Sequence, residues 1–310
     1  MRTVLAVDLG GTKTAVARVD ADGTMHDRAT FPAVRSVEAS AGQIASLCGG
    51  VDAVGIVVPG IFTPDTGCAW CPNLWGAREV PLRDVVQRAL STGPHGTASA
   101  GLPVVIDSDR AGYVLGETWL GAGRGHRHVV FVAIGTGIGV GILADGRLVR
   151  GAGGVAGAAG WFALDPRWNP RYGEVGCWEA EAAGPAVAAA CGTSDAQAAV
   201  EAARRGDASA RDALEHAARL TGMGVANLVS ALDPEVVILG GGLMTGASDL
   251  MLGLIRAEVR RWAQPIAAAR CRLELSALGD SAGVLGAARL ALDALDDRGH
   301  SQGAEREHPG

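Results

Sequence analysis

The chain has 310 residues, 48% of them hydrophobic but only 4% aromatic, so it is long enough for two lobes whose cores are packed mainly by small aliphatic side chains. A formal net charge of −6 argues against a general nucleic-acid or membrane-surface binder. No apolar run reaches bilayer-spanning length and Met1 leads straight into a strand-like run, so a cytoplasmic enzyme is the expectation.

The opening T-V-L-A-V-D-L-G-G-T-K-T-A-V-A-R-V-D predicts strand, glycine turn, strand, because both flanks of G-G-T-K are rich in β-formers. Asp8 closes the first strand. Gly10 and Gly11 let the backbone approach an anion, and Thr12 and Lys13 add a hydroxyl and a positive charge. That is the logic of a phosphate cradle, with Asp8 available to a hydrated Mg²⁺. The competing reading is a glycine hairpin with an incidental lysine. No G-x-x-x-x-G-K-[ST] occurs anywhere.

A tight turn in V-D-A-D-G-T leads to a further strand, and a helix is expected around 36–48. Residues 53–58, A-V-G-I-V-V, read as a buried parallel strand ending at Pro59-Gly60. Six cysteines are present, and Cys68 and Cys71 form C-A-W-C. One such pair supplies only two ligands, which favours two loop thiols over a metal site. Residues 91–101 are a loop by composition, and V-V-I-D at 104–107 is another strand.

A helix should begin near Asp109 in D-R-A-G-Y-V-L-G-E. Ser108 or Asp109 at its start suits a helix cap, the reading these residues favour by themselves, and a general base toward a hydroxyl is the alternative for Asp109. Strand 128–134 runs into G-T-G-I-G-V-G, where glycine at every second position strips one face of side chains beside the Thr136 hydroxyl. G-A-G-G-V-A at 151–156 fits a dinucleotide fingerprint only without its preceding buried strand. The stretch G-V-A-G-A-A-G-W-F at 154–162 carries no charged group at all. Residues 179–232 are alanine-rich and helical by expectation, with breaks near Gly192 and Gly206. Strand 236–239 enters Gly240, Gly241 and Gly242, which suit either a base and ribose lying against the backbone or a plain tight turn. A strand at 272–276, a helix at 283–293 and a polar, disordered tail over 294–310 complete the expected order. The expected lobes are 1–108, completed by helix 283–293, and 109–282.

In this order, D-L-G-G-T-K, G-T-G-I-G-V-G, V-I-L-G-G-G and A-L-G-D-S-A-G-V-L-G-A-A resemble segments of the ROK family of sugar kinases and repressors, to about residue 293. The resemblance implies an α/β, two-lobed actin-like ATPase (ribonuclease H-like) fold with the active site in the interlobe cleft. It implies ATP and Mg²⁺, a hexose-like substrate and a homodimer. The first phosphate loop then falls on Asp8, Gly10, Gly11, Thr12 and Lys13, and the second on Gly135, Thr136 and Gly137. The adenosine segment falls on Gly240, Gly241 and Gly242. The family's catalytic aspartate, in a motif similar to E-N-D-A-N-A-A-A-L-G-E, falls on Asp109, and substrate contacts fall on Gly60, Asn73, Ser108 and Glu179.

Three family features are broken. E-N-D becomes D-S-D, which puts the shorter Ser108 where the family has asparagine. A segment similar to G-x-x-G-x-A-G-E-x-G-H becomes G-A-G-G-V-A-G-A-A-G-W, so Ala158 and Trp161 stand where a glutamate and a histidine hold sugar hydroxyls. The zinc motif C-x-C-G-x-x-G-C becomes P-R-Y-G-E-V-G-C, and a single Cys177 cannot hold zinc. Trp161 either offers the substrate a stacking face or fills the vacated zinc region as core. Plain glucose is therefore the wrong expectation. The amino sugar kanosamine comes first, with a C7 cyclitol of the valiolone type or an ordinary hexose as alternatives. Both unusual substrates belong to antibiotic pathways. A DNA-binding repressor is expected not to apply, since Asp8 lies so near the N-terminus, and a catalytically dead sugar sensor is the remaining class.

Overall fold

The computed structural model describes residues 2–306, with side chains through residue 298. Two compact units divide the described residues: the N-terminal part through 120 with 152–154 and the part from 281 onward, and 121–151 with 155–280.

The first unit is built on a five-stranded sheet. Its strands are β1 (Thr3–Leu9), β2 (Lys13–Asp20), β3 (Met25–Pro32), β4 (Ala53–Val58) and β8 (Val104–Ser108), in the order β3-β2-β1-β4-β8. β1 to β3 form an antiparallel meander, while β1, β4 and β8 run parallel. Between them come α1 (Val37–Leu47), a small sheet of β5 (Ile61–Thr63), β6 (Cys68–Trp70) and β7 (Glu79–Val80), α2 (Pro72–Trp75) and α3 (Leu82–Thr92). α4 (Asp109–Leu120) follows β8 directly.

Strand periodicity sorts the side chains of this sheet. Leu5, Val7, Leu9, Val54, Ile56 and Val58 join α1 and α3 in one apolar cluster. The alternate residues face α4 and α12 (Ala282–Arg306). Those two helices cross on glycine: a Cβ on Gly286 would lie 1.8 Å from the Gly112 carbonyl oxygen, so only two bare backbones fit there. This crossing explains where the first unit ends. The expected boundary after Ser108 lies instead after Leu120, because α4 is packed against α12 and stays with the first sheet.

The second unit repeats the topology. Its strands are β9 (Val129–Ile134), β10 (Ile138–Ala144), β11 (Arg147–Leu148), β12 (Val236–Gly240) and β13 (Arg272–Leu275), in the order β11-β10-β9-β12-β13. Again three strands form an antiparallel meander and the last two join in parallel. Its helices are α5 (Tyr172–Val175), α6 (Cys177–Ala182), α7 (Gly184–Cys191), α8 (Ala196–Arg204), α9 (Ala208–Leu232), α10 (Gly242–Trp262) and α11 (Pro265–Arg270). The breaks expected near Gly192 and Gly206 fall between α7, α8 and α9. Gly192 closes α7 in the left-handed conformation, and Asp195 and Asp207 cap the next two helices through Ala198 and Ala210 N–H. Trp178 is fully buried against α9, and a Cβ on Gly224 would come within 2.7 Å of its ring.

The tail differs from expectation. α12 continues to Arg306, past the polar stretch expected to be disordered from residue 294. Alanine, leucine and arginine in A-L-D-A-L-D-D-R sustain helix whether or not the segment is apolar. Residues 307–310 lie outside the described residues.

Candidate active site

In the first unit, β1 and β2 are joined by the Gly10–Lys13 hairpin, closed by Gly10 N–H donating to the Lys13 carbonyl at 2.9 Å. Thr12 and Lys13 are exposed on this turn, and Lys13 is the chain's only lysine. Asp8 points to the α12 face of the sheet, where a Cβ on Gly283 would lie 2.1 Å from its Oδ2. The glycine at 283 is what lets the helix start beside this carboxylate. Asn73 is exposed on α2, and its Cβ lies 3.7 Å from where a Gly11 Cβ would be, so the phosphate turn and one expected substrate contact are neighbours. Arg35 donates to the Asn73 carbonyl and fixes that backbone.

The end of β8 separates two roles that the sequence left open. Ser108 Oγ accepts the Ala111 N–H at 3.3 Å and caps α4, and the Ser108 N–H is held by Asp107 Oδ1 at 2.8 Å. Asp109 is thereby released from capping beyond its own turn. Its Oδ1 accepts only the Arg110 N–H at 2.8 Å, and Oδ2 has no partner among the described residues. Burial drives the Asp109 pKa up to about 6, against lowering by the Arg110 charge and by backbone N–H groups. A part-buried carboxylate tuned into this range, with one oxygen open, has the properties of a general base near neutral pH.

Cys71, at the start of α2, is buried, and its thiol is pushed up to about 12 by burial and then by the Asp109 charge. That makes it an inert wall rather than a redox group. All six cysteines are free, Cys68 included. Gly60 is wedged against β6: a Cβ there would sit 2.1 Å from the Trp70 carbonyl oxygen. Its own carbonyl accepts from Arg110 at 3.4 Å, as does that of Gly154. Arg110 carries one faint signal in the sequence, a cation directly after the aspartate where the similar family motif has alanine, and its role shows only in the structure.

In the second unit, Gly135 N–H donates to the Gly137 carbonyl at 3.0 Å, and the Thr136 side chain is exposed on that turn. A Cβ on Gly135 would lie 3.5 Å from the Gly242 nitrogen, so both glycine segments of this unit meet at one place. Gly240 ends β12. Gly241, at φ +88°, packs on Ile134, and Gly242 starts α10 with no side-chain cap. Open N–H groups at the head of a 21-residue helix suit an anion.

Glu179 sits on α6 with Oε2 accepting the Ile138 N–H at 2.7 Å. Gly137 and Gly160 flank it so closely that a Cβ on either would come within 3.1 Å of Oε2. Burial raises the Glu179 pKa, opposed by that N–H. Ala158 is half-buried at the start of a short 3₁₀ turn, Ala159–Trp161. Trp161 is 56% exposed, which answers the question of its packing: it does not fill the core. The region is filled by other residues. Tyr172 and Cys177 cluster with Ala180, and Phe162 stacks on Trp178 at 6.1 Å. The Tyr172 hydroxyl donates to Glu181 at 2.7 Å, and His216 faces the same carboxylate at 3.3 Å.

Among the described residues no helix is long and apolar enough to cross a membrane. The family model described as the ROK family matches residues 4–294. A glucokinase of Streptomyces coelicolor is 33% identical over 94% of this chain and 98% of its own length. An N-acetylmannosamine kinase of Escherichia fergusonii is 31% identical over 93% of this chain and 98% of its own. Among solved structures, a ROK family glucokinase from Streptomyces griseus in complex with glucose and AMPPNP is 31% identical. It covers 94% of this chain and 99% of its own, with a TM-score of 0.76.

Proposed function

The chain belongs to the ROK family, with its actin-like ATPase fold, and from that premise we propose that it phosphorylates the primary hydroxyl of a hexose-like substrate other than plain glucose. It is an ATP-dependent sugar kinase, a phosphotransferase with an alcohol group as acceptor, as its glucokinase and N-acetylmannosamine kinase relatives support. Asp109 takes the proton of the acceptor hydroxyl on its open Oδ2, while the Arg110 N–H holds the other oxygen still. Lys13, Thr12 and the backbone of Gly10 and Gly11 are the first phosphate-binding loop and Gly135–Gly137 the second, and Gly240–Gly242 at the head of α10 carry the adenosine side. Asp8 fits a hydrated Mg²⁺: it is a single carboxylate at a strand end, enough for contact through water and too few ligands for a closed protein cage. The ion, when bound, neutralises phosphate charge. Transfer rests on positioning and charge, not on covalent chemistry by the protein.

One observation carries the substrate reading: the Ala158 side chain offers no hydrogen bond, and Trp161, exposed at 56%, offers a flat apolar face instead of an imidazole. Sugar hydroxyls left without partners there cost about 1–3 kcal/mol each. Gly60, Asn73, Ser108 and Glu179 complete the proposed substrate contacts, although the Ser108 hydroxyl is engaged as the α4 cap. Kanosamine is the first candidate, which would set the enzyme in antibiotic biosynthesis, and a valiolone-type cyclitol is the second. The setting is cytoplasmic and the assembly a homodimer. ³¹P NMR of the product tests the reaction type: a phosphomonoester on a primary carbon supports it. A phosphate on a ring hydroxyl, or ATP turnover that Asp109→Ala leaves intact, overturns it. A protein that binds sugar but turns over no ATP is a sensor.

A further inference from the structure

Among the described residues Arg110 has no counter-ion in direct contact. Its guanidinium has five N–H donors, and those with partners reach only two backbone carbonyls, Gly60 and Gly154, both at 3.4 Å. Burial lowers its pKa, and the charges of Asp109 and then Asp107 oppose that. Adjacent residues on a helix do not face each other, so Arg110 and Asp109 form no direct ion pair. The side chain instead stretches over the first turn of α4 between two loops. The Gly60 loop follows β4. Gly154 is pinned where a Cβ would lie 2.7 Å from the Phe62 carbonyl oxygen. Both anchors belong to the first unit, so the cation is held in place by the same body that carries the base.

We propose that Arg110 is the positioning residue of the base: a guanidinium braced on the Gly60 and Gly154 carbonyls that keeps the Asp109 carboxylate ionised without neutralising it by contact. This rests on the reading of Asp109 as general base. The carbonyl braces explain why the charge stays near Asp109 yet leaves Oδ2 open to a hydroxyl. The groups acting on Asp109 are few. Arg110 lies on its own helix, the Cys71 thiol at the start of α2 feels the Asp109 charge without acting back on it, and Asp107 on β8 acts on Arg110. Arg110 is the one cation among them.

The test is the pH profile of kcat/KM for Arg110→Met, Arg110→Gln and Arg110→Lys, beside Asp109→Asn at pH 8. The wild-type acidic limb should lie near pH 6. Removing a nearby opposite charge should move it up by about one unit, the low end of such effects. At pH 6, Arg110→Met and Arg110→Gln should then retain about one fifth of the wild-type fraction of plateau activity, and at pH 9 their plateau should be nearly reached. Arg110→Lys keeps the charge and should keep the limb. Arg110→Gln keeps a donor for the carbonyls without the charge, so it answers for Arg110→Met if that variant does not fold. A uniform loss at every pH with an unmoved limb would overturn the proposal and leave Arg110 a purely structural brace. So would a limb in Arg110→Lys that shifts with the neutral variants. If Asp109→Asn retains full activity, the reading of the base itself fails, whatever Arg110 does.

Discussion

Asp109→Asn should make the protein less active and more stable at the same time. The carboxylate titrates near 3.8 when unfolded and near 6 in the native state, with burial as the first cause. A raised native value means that folding favours the protonated form. Below pH 3.8 both states hold the proton and the group costs nothing. As pH rises from 3.8 to 6 the unfolded chain releases it first, so stability falls, and above pH 6 the full cost remains. At about 1.4 kcal/mol per pH unit the ceiling is about 3 kcal/mol, and the carboxylate's residual solvent access reduces it to about 1–3 kcal/mol. Asparagine removes the charge at nearly the same volume. Urea titrations should therefore show Asp109→Asn more stable than wild type by about that amount at pH 8, with the gap closing at pH 4. Turnover should fall about 10²–10⁴-fold. A variant that folds normally yet is equally or less stable at pH 8, or one that remains active, would show that Asp109 is not a buried, ionised base.

Three further outcomes follow from the same geometry. Ala158→Glu combined with Trp161→His should raise kcat/KM for glucose by about 30- to 10⁴-fold, two hydrogen bonds being regained at about 1–3 kcal/mol each. Trp161 is 56% exposed and costs little core when replaced, so a folded variant without that gain would count against the specificity argument. Acylation of Lys13, the only lysine, should abolish activity with one side-chain adduct and be prevented by ATP, both read by mass spectrometry and turnover; a fully active adduct would remove Lys13 from phosphate binding. Chelation should stop turnover until Mg²⁺ is returned yet leave Tm unchanged, because Tyr172, Cys177 and Ala180 pack as an apolar cluster. One tightly held zinc per chain would contradict this.

The parts of the fold written in local chemistry were legible. A-V-G-I-V-V could only be a strand covered on both faces, and β4 is buried at all six positions. The three glycine turns fall at strand ends because only glycine tolerates backbone packed so tightly on its neighbours, as Gly241 does on Ile134. Features set by distant partners were not legible. Nothing in D-R-A-G-Y-V-L-G-E states that α4 crosses α12 at Gly112 and Gly286, so the first unit was expected to end one helix early. Polarity after residue 293 suggested disorder, although helix propensity there is high. Whether Ser108 or Asp109 caps α4 depended on which oxygen reaches Ala111, and Arg110 gains meaning only once Gly60 and Gly154 lie beside it.

A living kinase with Ala158 and Trp161 in place of polar sugar contacts should disfavour glucose, and kcat/KM from ATP turnover over glucose, kanosamine, N-acetylmannosamine and a valiolone-type cyclitol, with enzyme and Mg²⁺ held constant, measures that preference. A non-glucose polyol should exceed glucose by about tenfold or more, as one lost hydrogen bond requires. Glucose ranking first, or no polyol stimulating turnover, would contradict it.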